Sequence, residues 1–123
     1  MSNTHPTPCP APFNLAAYVL AAGAQTPDHP ALEVLGSAPQ VWSYAQVISD
    51  VRGVASGLRA AGLNAGDIVL LRLGNTADFP IAYLGAIAAG MIAVPTSSAL
   101  TKSEITKITA SISAKAVLQD ENI

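Results

Sequence analysis

The strongest signal of a fold in this sequence is Ile68–Pro95, which reads IVLLRLGNTADFPIAYLGAIAAGMIAVP. It opens with an apolar run, Ile68–Leu73, and a Gly-Asn-Thr turn follows at Gly74–Thr76. A long apolar segment, Phe79–Ala89, ends at a glycine, and a second short apolar run, Met91–Val94, stops at a proline. Short apolar runs are typical of buried strands, and the long segment is typical of a helix. The stretch therefore predicts a strand–helix–strand unit with parallel strands and the helix across one face.

The sequence after this unit continues the same alternation. Thr101 and Glu104 have the spacing of a helix-capping pair, which predicts a helix to about Ser113. A short β-prone run, Ala116–Leu118, follows it. The order from Asp67 onward is strand, helix, strand, helix, strand. This order predicts the α/β class, with a Rossmann-like parallel three-strand unit and helices on its faces.

The sequence before the unit predicts a helix and a short β-hairpin. Asn14 can cap a helix to about Ala24, with one apolar face formed by Leu15, Tyr18, Val19 and Ala22. The β-prone runs Ala31–Leu35 and Gln40–Trp42 indicate the hairpin.

A second, longer helix is expected after the hairpin. Ser43 and Gln46 form a capping-box pattern for a helix to about Ala61, which Gly62 ends. We expect its apolar face to consist of Val47, Val51, Val54, Leu58 and Ala61.

The composition is low in charge rather than high in apolar content. Charged residues make up 11% of the chain, against roughly 25% in an ordinary soluble domain. An Ala-rich, lightly charged protein that is soluble anyway is one interpretation. We favour the other, that part of the surface is buried against another chain or against further sequence.

Several classes of function are disfavoured. The net charge of −2 and the absence of a basic stripe argue against nucleic-acid binding. Cys9 is the single cysteine, so a disulfide framework is impossible and a cytoplasmic location is expected. The apolar part between Pro80 and Pro95 reaches only about 21 Å as a helix, too short to span a bilayer, and the N-terminus does not have the pattern of a signal peptide.

The candidate sites are few, and we assign no catalytic or metal-binding residue. Gly74–Thr76 begins a helix after a strand, where an anion can bind, although Asn75 or Thr76 could simply cap that helix. Thr96, Ser97 and Ser98 follow the next strand, at the edge where open α/β sheets bind ligands. We treat these three hydroxyls as candidate cofactor contacts, and an ordinary connecting loop is the alternative. Asp120 and Glu121 are interpreted as solvated.

Five segments, in order, resemble motifs of the adenylate-forming superfamily, as found in benzoate-CoA ligases or fatty-acid-CoA ligases. They are Trp42–Val47, Leu63–Val69, Asp78–Pro80, Leu84–Pro95 and Leu100–Ile105. The resemblance covers roughly residues 13–118. It implies an enzyme that uses ATP and magnesium to convert a carboxylic acid to an acyl-adenylate and then to an acyl-CoA. It also implies that residues 13–123 are the N-terminal part of a large domain, after a flexible proline-rich arm at 1–12.

The same resemblance implies that the activity needs more sequence than this. The phosphate loop, the magnesium-binding motif and the catalytic lysine of such enzymes come later than Ile123, so the chain alone is expected to be inactive, without a cofactor of its own. The remainder of the enzyme would then be its partner. Without it, apolar faces that the family fold covers would be exposed, so a homo-oligomer is expected for the isolated chain. A free-standing α/β interaction module and a small flavodoxin-like nucleotide binder remain the alternatives, and calorimetry with ATP, AMP and FMN would reveal the latter.

Overall fold

A computed structural model describes residues 5–121. The fold belongs to the α/β class, as predicted. The strands alternate with helices from residue 44 onward. In chain order the elements are α1 (Leu15–Ala21), a single 3-10 turn (Gly23–Gln25), β1 (Pro30–Val34), β2 (Gln40–Ser43), α2 (Tyr44–Ala60), β3 (Ile68–Leu73), α3 (Asp78–Ala88), β4 (Ile92–Ser97), α4 (Lys102–Ile112) and β5 (Ala116–Gln119).

The main sheet has three parallel strands in the order β4-β3-β5, which confirms the predicted Rossmann-like unit. The central strand pairs on both sides, so that Leu70 lies between Val94 of β4 and Val117 of β5. Strands β1 and β2 form a separate antiparallel hairpin, as predicted.

The two faces of this sheet are covered differently. Alternate residues of β3, Val69, Leu71 and Leu73, pack into the main apolar core with buried residues of α2 and α3. Leu70 and Arg72 alternate with them and therefore point to the opposite face. Helix α4 lies on that opposite face, where it lines a cleft together with Arg72 and Val117.

The capping box that begins α2 is present as predicted. The Ser43 hydroxyl accepts a hydrogen bond from the Gln46 N–H at 3.2 Å, and the Gln46 side chain accepts one from the Ser43 N–H at 2.8 Å. The predicted apolar face is confirmed at Val47, Val51 and Leu58, which are buried. Ala55 is buried in addition, whereas Ala61 is exposed.

The prediction that the second short strand stops at Pro95 is wrong. Strand β4 runs from Ile92 to Ser97, and Pro95 pairs in register with Leu71. Proline cannot donate a backbone hydrogen bond, but β4 is an edge strand and can leave that position unpaired. A proline therefore did not mark the end of this strand.

The predicted apolar face of α1 does not pack against the core. Tyr18 is 67% exposed, and Leu15, Val19 and Ala22 are exposed as well, whereas Ala16 is the buried residue. A long-range hydrogen bond at the start of the helix accounts for this orientation of α1. Asn14 caps the helix as predicted, by accepting from the Ala17 N–H, but its amide also donates to the Ile87 carbonyl at 2.8 Å. That long-range bond fixes the rotation of α1 against α3.

Candidate functional site

The three parallel strands bring their carboxyl ends to one edge of the sheet. Gly74 follows β3, Ser98 follows β4 and Asp120 follows β5. Ligands of open α/β sheets bind at this edge. Both candidate segments from the sequence, Gly74–Thr76 and Thr96–Ser98, lie there.

The backbone donor at Gly74 is already used by the chain itself. The Gly74 N–H donates to the Asp120 carboxylate at 2.8 Å. Asp120 is half-buried, so the interpretation of this residue as solvated is wrong. Neither Asn75 nor Thr76 caps α3, because its N-cap is Ala77 and makes no side-chain hydrogen bond. An acidic side chain of the neighbouring strand end thus occupies the place proposed for an external anion.

Replacing Asp120 by asparagine tests this contact. We expect the free energy of unfolding to fall by about 1–2 kcal/mol, because hydrogen bonds to a charged acceptor are stronger than neutral ones. Urea denaturation followed by circular dichroism measures the change. Glu121→Gln removes a neighbouring charge from an exposed residue and serves as the matched control. Equal effects of the two substitutions would contradict the assigned contact.

Two of the three hydroxyls in the second candidate segment are engaged locally. Thr96 donates to the Leu71 carbonyl at 2.7 Å, and the Ser97 hydroxyl accepts from the Ala99 N–H at 3.1 Å. Thr96 and Ser97 belong to β4 itself, and only Ser98 lies in the following turn. The segment therefore lies at the carboxyl end of the strand, as predicted, and only its last residue belongs to the connecting turn that was the alternative. Its role as a cofactor contact stays a prediction.

Residues 5–121 contain neither a metal-binding cluster nor a helix suited to span a membrane. No group of three His, Cys, Asp or Glu side chains is placed to hold a metal ion. Within the same range, the helices are too short or too polar to cross a membrane.

These features define a class of protein. A parallel sheet with helices on both faces is the architecture of nucleotide-binding α/β domains, and within residues 5–121 this sheet has three strands, with β4 and β5 at its edges. A family model described as AMP-binding enzyme matches residues 19–123. The chain belongs to this family, as its motifs suggested.

Individual relatives agree with the family assignment. The chain is 32% identical over 104 residues to 4-coumarate–CoA ligase CCL1 from Humulus lupulus. Among solved structures, it is similar to a benzoate CoA ligase from Burkholderia xenovorans LB400, with a TM-score of 0.80 and 26% identity over 89% of this chain. A fatty acid AMP ligase from Legionella pneumophila gives the same TM-score, identity and coverage.

The chain spans about a fifth of the length of these relatives. The match covers 85% of this chain but 19% of the Humulus enzyme. The corresponding shares of the solved chains are 22% for the Burkholderia ligase and 20% for the Legionella ligase. Its fold therefore corresponds to one part of an adenylate-forming ligase.

Proposed function

We propose that this chain is the N-terminal part of an ATP-dependent acid–CoA ligase. The enzyme would convert a carboxylic acid to an acyl-adenylate with release of pyrophosphate, and then to an acyl-CoA. The observation that carries the proposal is the family match over residues 19–123, because it includes the whole three-strand unit. The ligases named among the relatives support the same reaction type.

The proposal extends to the organisation of the enzyme. Residues 13–123 would form the first part of the large domain, preceded by the proline-rich arm at 1–12, in a cytoplasmic protein. ATP, magnesium and coenzyme A would bind mainly to later sequence, with Thr96, Ser97 and Ser98 as the candidate contacts from this part. The Thr96 hydroxyl already donates to Leu71, whereas the Ser97 hydroxyl only accepts a hydrogen bond and its residue is exposed, so Ser97 is the more accessible donor.

ATP–pyrophosphate exchange tests the activity. The 123-residue chain, incubated with Mg-ATP and benzoate or 4-coumarate, is expected to show no exchange above a boiled sample. A longer product of the same reading frame is expected to catalyse the exchange with at least one carboxylic acid. Exchange by the 123-residue chain alone would show that this part already contains a complete site.

We also propose that the isolated chain self-associates through α1. Phe13, Leu15, Tyr18 and Val19 form an exposed apolar patch, in which the Phe13 and Tyr18 rings lie 5.4 Å apart. Burial of apolar surface contributes roughly 25 cal/mol per Å², so this patch favours association.

Sedimentation velocity measures that association. At concentrations of about 10–100 µM, in the range of weak interfaces, we expect dimers or larger species. Val19→Lys should shift the distribution toward monomer, whereas Leu35→Lys, a control at an exposed apolar residue outside the patch, should not. A clean monomer throughout would contradict the proposal.

A further inference from the structure

Arg72 is a buried charge in the middle of the sheet. It lies on the central strand β3 and is only 8% exposed. The arginine side chain keeps its positive charge in proteins. Its position on the face opposite the main core places the guanidinium beneath α4.

The partners of this guanidinium are neutral and incomplete. One terminal nitrogen donates to the Leu100 carbonyl, and the other lies 3.5 Å from the Gln119 side-chain oxygen. The Nε atom finds no acceptor within the part of the chain that the structure describes. Buried charges in proteins are normally paired, because desolvation disfavours an isolated charge. A negative partner for Arg72 is therefore missing from the described residues.

A cleft leads to this charge. Its volume is about 620 Å³, and α4 and β5 form its walls, with Ile105, Ala110 and Val117 as apolar lining. Lys102 also lines it. The Thr109 hydroxyl, another lining group, is buried without a hydrogen-bond partner in residues 5–121. The cleft thus combines apolar walls with polar groups that have unused hydrogen-bonding capacity.

The sheet face on which the cleft lies is incompletely covered. Ile105 is the one buried residue of α4. Ile92, at the start of β4, is 51% exposed. Ile92 pairs in register with Ile68, so it belongs to the same face as Leu70 and Arg72. A small ligand in the cleft would leave Ile92 exposed, whereas a packed polypeptide segment could cover both.

We propose that an acidic side chain of the polypeptide that completes the ligase domain enters this cleft and pairs with Arg72. The inference rests on the proposed function, since it takes the missing four-fifths of the enzyme as the source of the partner. A carboxylate matches the donor fork of a guanidinium, and the methylene stem of Glu or Asp fits the apolar walls. Arg72 is then a positioning residue that holds the later part of the domain against α4 and β5.

The first test uses the 123-residue chain and propionate, which reproduces the side chain of Glu. Titration is followed by the methyl NMR signals of Ile105 and Val117, with sodium chloride at matched ionic strength as reference. We expect saturable, propionate-specific shifts, and we expect Arg72→Met to weaken binding by about tenfold or more, as for a charge-assisted pair. Lys102→Met, on an exposed residue of the same cleft, should change binding by less than about threefold.

A second variant tests the cleft independently, in case Arg72→Met does not fold. Ala110→Phe fills the cleft from an exposed helix position and should block propionate while Arg72 remains. Shifts that chloride reproduces, or that survive both variants, would overturn the proposal. Benzoate binding about a hundredfold tighter than propionate would also overturn it, because the cleft would then select a free aromatic acid.

The second test uses the longer product of the reading frame. Arg72→Met should lower its thermal midpoint, and one Asp→Asn or Glu→Gln change beyond residue 123 should have the same, non-additive effect. If Arg72→Met has an additive effect with each of these acidic variants, the ion pair is refuted, even if the longer product is an active ligase. If no ligase follows in the frame, the proposed function fails, and the propionate test still reports on the cleft by itself.

Discussion

Replacing Leu71 by alanine is expected to lower the free energy of unfolding by about 2–5 kcal/mol, the range for a large-to-small change in a packed core. Leu71 has 0% exposure and lies on the central strand, flanked by Pro95 of β4 and Leu118 of β5. Because neighbours from both strands and from two helices surround it, the surroundings can only partly collapse into the cavity. Urea denaturation followed by circular dichroism measures the loss.

A leucine outside the core provides the control for this variant. Leu35 is 82% exposed and follows β1, so Leu35→Ala should change the free energy of unfolding by less than about 0.5 kcal/mol. Losses of similar size for the two variants would show that β3 is not the centre of the core.

Replacing Gly85 by alanine is expected to lower the free energy of unfolding by about 1–3 kcal/mol, as overpacking does. A Cβ atom at this position would lie 2.5 Å from the Cβ of Val54 and 3.3 Å from the Val51 carbonyl oxygen. Gly85 is therefore the point at which α3 lies directly against α2. The added methyl must push these two helices apart, which also loosens their packing on the sheet.

Gly57→Ala is the matched control for this prediction. Gly57 lies in α2, and a Cβ there would meet nothing within 4 Å. Alanine favours helix over glycine, so this variant should raise the free energy of unfolding by about 0.5–1 kcal/mol. If Gly85→Ala is as stable as Gly57→Ala, the close approach of α2 and α3 is wrong.

The sequence predicted the elements better than their contacts. The apolar run at Ile68–Leu73, the capping pairs and the glycine ends are local signals, and the structure has the corresponding strands and helices within a few residues. The rotation of α1 could not be predicted in this way, because it depends on a bond from Asn14 to Ile87, 73 residues away.

The candidate site shows the same limit. Its location at the carboxyl edge of the sheet follows from strand order, and both predicted segments lie there. The pairing of Asp120 with Gly74 joins residues 46 positions apart. The sequence did contain a signal for this contact. Asp120 directly follows β5, Gly74 directly follows β3, and the carboxyl ends of neighbouring parallel strands lie at the same edge of a sheet. Arg72 was missed because one charge within an apolar run is equally consistent with a strand face that points to solvent.

Sequencing the coding DNA beyond codon 123 decides whether this chain is part of a longer ligase. We expect the frame to continue for several hundred codons and to include a Ser/Thr/Gly-rich loop with a lysine. A stop codon directly after Ile123 in the natural gene would contradict it, and the chain would then be a free-standing α/β module of the AMP-binding family.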